Sequence, residues 1–110
     1  MEGFYFDPKH GGCLRRIWRV GTGVFRVGGV YGDDERQTGN YWFATASVAG
    51  VADARGRVPL TVDFSRGKPC KTRTVYAAHW SPVRRRIRWD DGNAWVKLYV
   101  HPRQLLGALP

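Results

Sequence analysis

The segment from Arg84 to Val100 constrains the fold of this chain more than any other, because it is typical of two β-strands joined by a tight turn. Asp91-Gly92-Asn93 stands between two runs of strand-forming residues, and an Asp-Gly pair in that setting is a strong hairpin signal. Glycine adopts a positive φ without steric cost, and Asp and Asn tolerate the left-handed region. We therefore predict a hairpin that turns at Gly92.

Each strand of this hairpin is predicted to have one apolar face and one basic or basic-aromatic face, since successive side chains of a strand point to opposite sides. The first strand carries Ile87 and Trp89 on one side and Arg86 and Arg88 on the other. On the second strand, the predicted apolar face is a set of three aliphatic residues, Val96, Leu98 and Val100. Its opposite face would carry Trp95, Lys97 and Tyr99.

The rest of the chain continues the β pattern. From Val58 to Phe64, apolar residues alternate with Pro59, Thr61 and Asp63, which is typical of a half-buried strand. About eight such short runs occur along the chain, and no window has the apolar spacing of a helix over three turns. In the third strand, Gly28-Gly29 predicts a bulge or bend.

This pattern predicts an all-β fold, in which residues 1–110 form a single domain. The predicted architecture is an antiparallel up-and-down barrel of about eight short strands, a small lipocalin-like barrel, and the alternative is a β-sandwich. The barrel is favoured because closure removes exposed strand edges, and the chain has few prolines to protect such edges.

The charge of the chain indicates the class of its partner. It has 18 Lys and Arg against 9 Asp and Glu, a net charge of +9. Such a balance favours anionic partners: nucleic acid, an acidic protein or an anionic membrane surface.

The sequence also bears on location. No apolar run approaches the ~18 residues of a membrane span, and the N-terminus lacks the basic start and apolar core of a signal peptide. We therefore expect an intracellular, soluble protein, although a targeting segment removed beforehand stays open. Cys13 and Cys70 are expected to be free thiols, while a disulfide between them is geometrically possible.

Three blocks of the sequence resemble a group of small uncharacterised all-β proteins of algae and other marine microbes. The first, Gly3-Phe4-Tyr5-Phe6-Asp7-Pro8-Lys9-His10, matches the pattern Gly-x-Tyr-x-Asp-Pro-x-His. The second, from Asp63 to Pro69, matches Asp-Phe-Ser-Pro-Lys-Gly-Gly-Pro loosely, with Arg66 in place of proline. The third, from Trp89 to Trp95, matches Trp-Pro-Asp-Gly-Asn-x-Trp, with Asp90 in place of proline. The resemblance spans most of the chain and implies a shared fold, and it implies no particular chemistry.

No arrangement of residues predicts catalysis, a metal site or a cofactor. The candidates for nucleophilic catalysis lack a recognised local motif: Cys13, Cys70, His10, His79 and His101. The acidic clusters Asp33-Asp34-Glu35 and Asp90-Asp91-Asn93 lack EF-hand spacing and suit turn formation instead. Gly21-Thr22-Gly23 has neither the third glycine nor the following helix of a dinucleotide-binding fingerprint. We predict a protein that is not an enzyme.

The strongest functional signal is a set of basic residues with aromatic residues among them. The predicted anion-binding residues are Arg84, Arg85, Arg86, Arg88, Lys97, Arg15 and Arg19. The predicted stacking residues are Trp95, Tyr99 and Tyr76, whereas alternation assigns Trp18, Trp42 and Trp89 to the core. Cationic grooves with aromatic platforms bind single-stranded nucleic acid, often on small barrels. The function predicted first is binding of an anionic partner, with nucleic acid preferred.

Two other functions stay open. A closed barrel of about eight strands can hold one small ligand, so a lipocalin-like carrier of a small hydrophobic ligand is one alternative. An interaction subunit that binds an acidic protein is the other. The sequence leaves the oligomeric state open.

Overall fold

Eight β-strands follow one another around a closed antiparallel barrel. The structure, a computed structural model, describes residues 1–10, 14–30, 41–65 and 73–99. The strands are β1 (Gly3–Phe6), β2 (Leu14–Gly21), β3 (Val24–Val30), β4 (Tyr41–Val48), β5 (Val58–Asp63), β6 (Val75–Ser81), β7 (Arg86–Trp89) and β8 (Ala94–Lys97). A short 3-10 helix, Pro8–His10, follows β1. The predicted up-and-down barrel is confirmed, and the β-sandwich is not formed.

Because neighbouring strands are antiparallel, their connections alternate between the two ends of the barrel. The β1–β2 and β7–β8 connections lie at one end, called here the upper end, and the β4–β5 and β6–β7 connections lie at the lower end. The barrel closes where β8 pairs with β1, with Tyr5 opposite Lys97 and Phe6 opposite Val96. Within the described ranges, no helix is long and apolar enough to cross a membrane.

Side chains on the inward face of every strand fill the barrel. The buried apolar residues are Tyr5, Ile17, Val27, Trp42, Ala44, Ala46, Leu60, Val62, Phe64, Ala78, Trp80, Ile87, Trp89 and Trp95. Trp42 is central among them, with its ring centroid 5.5 Å from that of Phe64 and 6.5 Å from that of Trp95. Each aromatic side chain of this kind removes on the order of 150–250 Å² from water. Burial of these rings therefore dominates the stabilisation of the barrel.

The β7–β8 hairpin turns where the sequence predicts. Gly92 has a φ of 90°, and the Asp91 side chain accepts a hydrogen bond of 2.9 Å from the Asn93 backbone N–H. β8 ends at Lys97, so Leu98 follows the strand instead of lying on its apolar face. Val100, the last residue assigned to that face, lies outside the described residues.

The orientation of β8 is the reverse of the prediction. The four-residue connection between the strands pairs Ile87 with Trp95 and Arg86 with Val96. Trp95 therefore points inward and is 5% exposed, whereas Val96 points outward and is 38% exposed. A shift of one residue in register reverses every side chain of a strand, and burying an indole removes more apolar surface from water than burying a valine. The assignment of Val96 to the inward face was wrong for this reason.

β3 runs through Gly28 and Gly29 in regular register with β4, so the predicted bulge or bend there was wrong. The two glycines allow close packing instead. A Cβ at Gly28 would lie 3.2 Å from the ring of Trp18, and a Cβ at Gly29 would lie 2.5 Å from the ring of Trp42. The irregularity of the β2–β3 pair falls between Arg19 and Gly21.

We expect Gly29→Ala to lower the free energy of unfolding by about 1–3 kcal/mol, the usual cost of overpacking a core. The added methyl group would meet two ring atoms of Trp42 at 2.5 and 2.7 Å and Cδ of Arg15 at 3.0 Å. Gly21→Ala is the matched control, because the nearest atom to its added Cβ is 3.9 Å away, on Val24. Chemical denaturation of both variants measures the difference, and a Gly29→Ala protein as stable as wild type would contradict this packing.

Candidate functional site

An open groove with a volume of about 710 Å³ lies on the outer wall of the barrel, towards the lower end. Its described lining, which we call the arginine groove, consists of Arg55, Arg57, His79, Ser81, Val83, Arg84, Arg86 and Arg88. Among the residues that the structure describes, no aspartate or glutamate lines it. The groove therefore gathers five arginines around one concave surface.

β6 and β7 position the central side chains of the groove. Ile87 and Trp89 are buried, and this holds Arg86 and Arg88 on the outward face, as predicted. The register sets Arg86 opposite Ser81 and Arg88 opposite His79. In the described part of the chain, the Nε of Arg86 is buried without a hydrogen-bond partner. A buried donor without an acceptor costs free energy.

The β6–β7 turn fixes the lower edge of the groove. Ser81 holds the turn through two bonds: its backbone oxygen accepts the Arg85 N–H at 2.8 Å, and its hydroxyl accepts the Arg84 N–H at 3.2 Å. Arg85 has a φ of 55°, in the left-handed region, and the turn carries its side chain away from the groove towards Tyr99. The Arg85 guanidinium carbon lies 5.5 Å from the Tyr99 ring centroid.

The β4–β5 connection supplies the opposite edge of the groove and was missed by the sequence analysis. Asp53 organises it: its carboxylate accepts the backbone N–H groups of Arg55 and Arg57, both at 2.9 Å, and the Nε of Arg57 at 2.7 Å. These bonds hold the pKa of Asp53 below its ordinary value, and the bond from the Arg57 backbone has the largest effect. The Asp53 carboxylate thus partly neutralises Arg57. Its hydrogen bond to the Arg55 backbone also fixes the connection that places Arg55 in the lining.

The two acids that follow β7 in sequence are engaged at the upper end. The Asp90 carboxylate accepts hydrogen bonds from the Arg73 side chain and from the Ala77 backbone N–H. The bond from Arg73 is the main reason that the pKa of Asp90 is lowered. Asp91 caps its own turn. Neither carboxylate lines the arginine groove, so Asp90 and Asp91 neutralise little of its positive charge.

Arg15 lies inside the barrel, so its prediction as a surface anion-binding residue was wrong. β2 places it on the inward face beside Ile17, and its side chain is 2% exposed. Its Nη2 lies 3.5 Å from Oδ2 of Asp7, which is also buried. The guanidinium carbon lies 5.2 Å from the ring centroid of Trp42 and 5.7 Å from that of Trp95. The charge of Arg15 is therefore balanced within the core.

Asp7 and Asn93 form the polar part of this interior site, and the sequence analysis did not select either. Asp7 Oδ1 accepts the Asn93 side-chain amide and the Lys9 backbone N–H, both at 3.0 Å. The two residues are 86 positions apart in the sequence, so no local pattern indicates this contact. Among the described residues, Arg15 Nε and Nη1 have no hydrogen-bond partner.

Two other predicted anion-binding residues lie apart from the groove. Lys97 shares the inward face of Trp95, is opposite Tyr5 and places its ammonium 5.9 Å from the Trp80 ring. The prediction that Lys97 shares a face with Arg86 was wrong, because the register of β8 places Val96, and not Lys97, on the outward face beside Arg86. Arg19 is exposed near the end of β2, where its Nε donates to the Gly21 carbonyl at 3.1 Å.

The three predicted stacking residues have different environments. Trp95 is buried in the core, so the prediction that it is an exposed platform was wrong. Tyr76 is half-buried and carries the Arg73 guanidinium 4.3 Å from its ring centroid. Tyr99 is 85% exposed. Trp18, which alternation assigned to the core, points outward and is only partly buried.

A small cavity opens at the upper end of the barrel, with a volume of about 80 Å³. Its described walls are aromatic and polar: Asp7, Lys9, His10, Phe64, Tyr76, Trp89, Asp91, Asn93 and Trp95. Small-molecule sites usually measure about 300–1,000 Å³. A cavity of this size holds a few water molecules or one small chemical group.

Comparisons of the chain with protein-family models, with curated proteins and with solved structures found no match. The resemblance to the algal and marine proteins therefore stays a prediction.

We expect Asp7→Asn to lower the free energy of unfolding by about 3–5 kcal/mol, because it leaves the Arg15 guanidinium buried without a counter-charge. The double variant Asp7→Asn/Arg15→Met removes both charges, so its loss should be smaller than the loss in Asp7→Asn alone. Chemical denaturation of the two variants and of Arg15→Met completes the cycle. An Asp7→Asn protein as stable as wild type would show that the pair does not hold the upper end together.

Proposed function

We propose that this protein is a non-enzymatic binding module that holds single-stranded nucleic acid by its phosphate groups along the arginine groove. The observation that carries the proposal is the lining of the groove. Five arginines and His79 face one open volume of about 710 Å³, and none of the described lining residues is acidic.

The chemistry of the groove suits phosphate. Guanidinium groups are planar and donate paired hydrogen bonds to phosphate oxygens. Arg86 and Arg88 lie two residues apart on the outward face of one strand, and like charges this close repel one another. A polyanion in the groove would relieve this repulsion by accepting hydrogen bonds from the arginines that line it. The net charge of +9 would draw such a partner from a distance.

The carrier alternative has less support. Fourteen buried apolar side chains fill the described interior, and the cavity at the upper end measures only about 80 Å³. A drug-sized hydrophobic ligand would need several of these side chains to move. The acidic-protein alternative uses the same groove, and the binding experiment separates it from nucleic acid.

We expect the protein to bind a fluorescent oligothymidylate with an affinity that falls steeply as salt rises, because each phosphate contact releases condensed counterions. Arg84→Ala/Arg88→Ala removes two exposed groove residues and should reduce the slope of log affinity against log salt by about 0.7 per lost contact. Fluorescence anisotropy from about 50 to 200 mM salt measures this slope.

Lys9→Ala/Arg19→Ala is the matched control for this experiment. It removes the same charge from two exposed residues that do not line the groove, so the salt slope should stay close to that of wild type. Equal losses in the two double variants would mean that net charge, and not the groove, governs binding. Tighter binding of polyglutamate than of the oligothymidylate would favour the acidic-protein alternative.

A further inference from the structure

Aromatic side chains form a second outward surface on β1, β2 and β4. Its members are Phe4, Arg16, Trp18 and Phe43, and we call it the aromatic strip. Three of them form one row across the sheet, because Phe4 is opposite Arg16, Arg16 is opposite Gly28, and Gly28 is opposite Phe43. Gly28 leaves this row without a side chain, and the ring of Trp18 packs over the vacant position.

The contacts within the strip alternate cation and ring. The Arg16 guanidinium carbon lies 5.1 Å from the Trp18 ring centroid and 5.9 Å from that of Phe4. Trp18 and Phe43 meet edge to face, with centroids 6.2 Å apart at 88°. Phe43 is 46% exposed. Arg26 is the strand partner of Trp18 and places an exposed cation beside that residue. Phe4 and Trp18 are partly exposed beside Phe43, and aromatic side chains that reach solvent side by side are typical of a binding surface.

The strip and the arginine groove are joined by a continuous row of side chains. Arg86 of the groove is opposite Val96, Val96 is opposite Phe6, and Phe6 is opposite Leu14. Val96, Phe6 and Leu14 are all partly exposed apolar residues, and Phe6 shares the outward face of β1 with Phe4. Two strand spacings of about 4.8 Å separate Arg86 from Phe6, and Phe4 of the strip lies two residues, or about 7 Å, further along β1. A single extended ligand can therefore contact both surfaces.

We propose that the aromatic strip stacks the bases of the same single strand whose phosphates lie in the arginine groove. The inference rests on the proposed function and adds the part of the nucleic acid that the groove does not contact. Single-strand binding combines a cationic track with aromatic platforms, and the described lining of the groove contains no phenylalanine, tyrosine or tryptophan. The strip supplies the missing rings, and Arg16 and Arg26 make it complementary to a polyanion rather than to a neutral apolar segment.

Two probes separate base stacking from phosphate binding: an oligothymidylate, and an abasic oligonucleotide with the same number of phosphates. Stacking on one aromatic side chain strengthens binding by roughly 5- to 150-fold per base. Wild-type protein should therefore prefer the oligothymidylate by a factor in this range. Phe43→Ala should remove most of that preference and leave the affinity for the abasic probe unchanged.

Phe43→Tyr and Phe43→Leu test whether the ring itself is needed. The tyrosine retains a stacking face and should bind the oligothymidylate like wild type, whereas the leucine is apolar without a ring and should behave like Phe43→Ala. Val20→Ala is the control for loss of an exposed apolar side chain outside the strip, and it should change neither affinity. Circular dichroism verifies that each variant is folded.

The outcomes distinguish a failure of this inference from a failure of the proposed function. Equal affinity of wild-type protein for the two probes, or a Phe43→Leu protein that binds like wild type, would overturn the stacking role and leave phosphate binding in the groove intact. A wild-type protein that binds neither probe at low salt would overturn both. A change of the free protein from dimer to monomer in Phe43→Ala, without loss of thymidylate preference, would make the strip a contact between copies and overturn the inference.

Discussion

The closure of the sheet between β1 and β8 is the constraint on which the rest of the structure depends. Two paired positions and the bond of 2.8 Å from the Leu98 N–H to the Phe4 carbonyl join the first strand to the last. Once the sheet is closed, each outward side chain belongs to the wall, and each inward one must fit a single interior. Within the described ranges, that interior contains fourteen buried apolar side chains and the ion pair of Arg15 with Asp7. The remaining arginines of the strands are therefore displayed outside.

The two surfaces that we assign to function follow from this separation. The arginine groove forms where the β4–β5 connection faces β6 and β7, so it joins parts of the chain that are distant in sequence. The aromatic strip forms because Gly28 leaves space on the outer wall for Trp18 and Phe43. Positive charge concentrated in this way destabilises the isolated protein, and binding of a polyanion would offset that cost. In the proposed function, the charge repulsion of the free protein and its affinity for a polyanion would have the same origin.

The sequence predicted the strands better than it predicted the tertiary contacts of their side chains. The alternation of apolar and polar residues predicted the strand β5 and the outward direction of Arg86 and Arg88, because each depends only on local spacing. The face of β8 depends on the length of the turn, and Trp95 and Val96 are both apolar, so the pattern did not decide between them. Arg15 was assigned to the surface because charged residues are rarely buried unless they are paired, and its partner Asp7 is recognised only in three dimensions. Arg55 and Arg57 enter the groove through a tertiary contact that no local pattern records.

The central claim is that the outer wall around β6 and β7 is where nucleic acid binds. Titration of ¹⁵N-labelled protein with an oligothymidylate at low salt, followed by amide chemical shifts, tests it most directly. The account predicts the largest shifts at residues 53–57 and 79–88, with a second set around Phe4, Arg16 and Phe43. Shifts confined to the upper end, at residues 7–10 and 90–93, would contradict it.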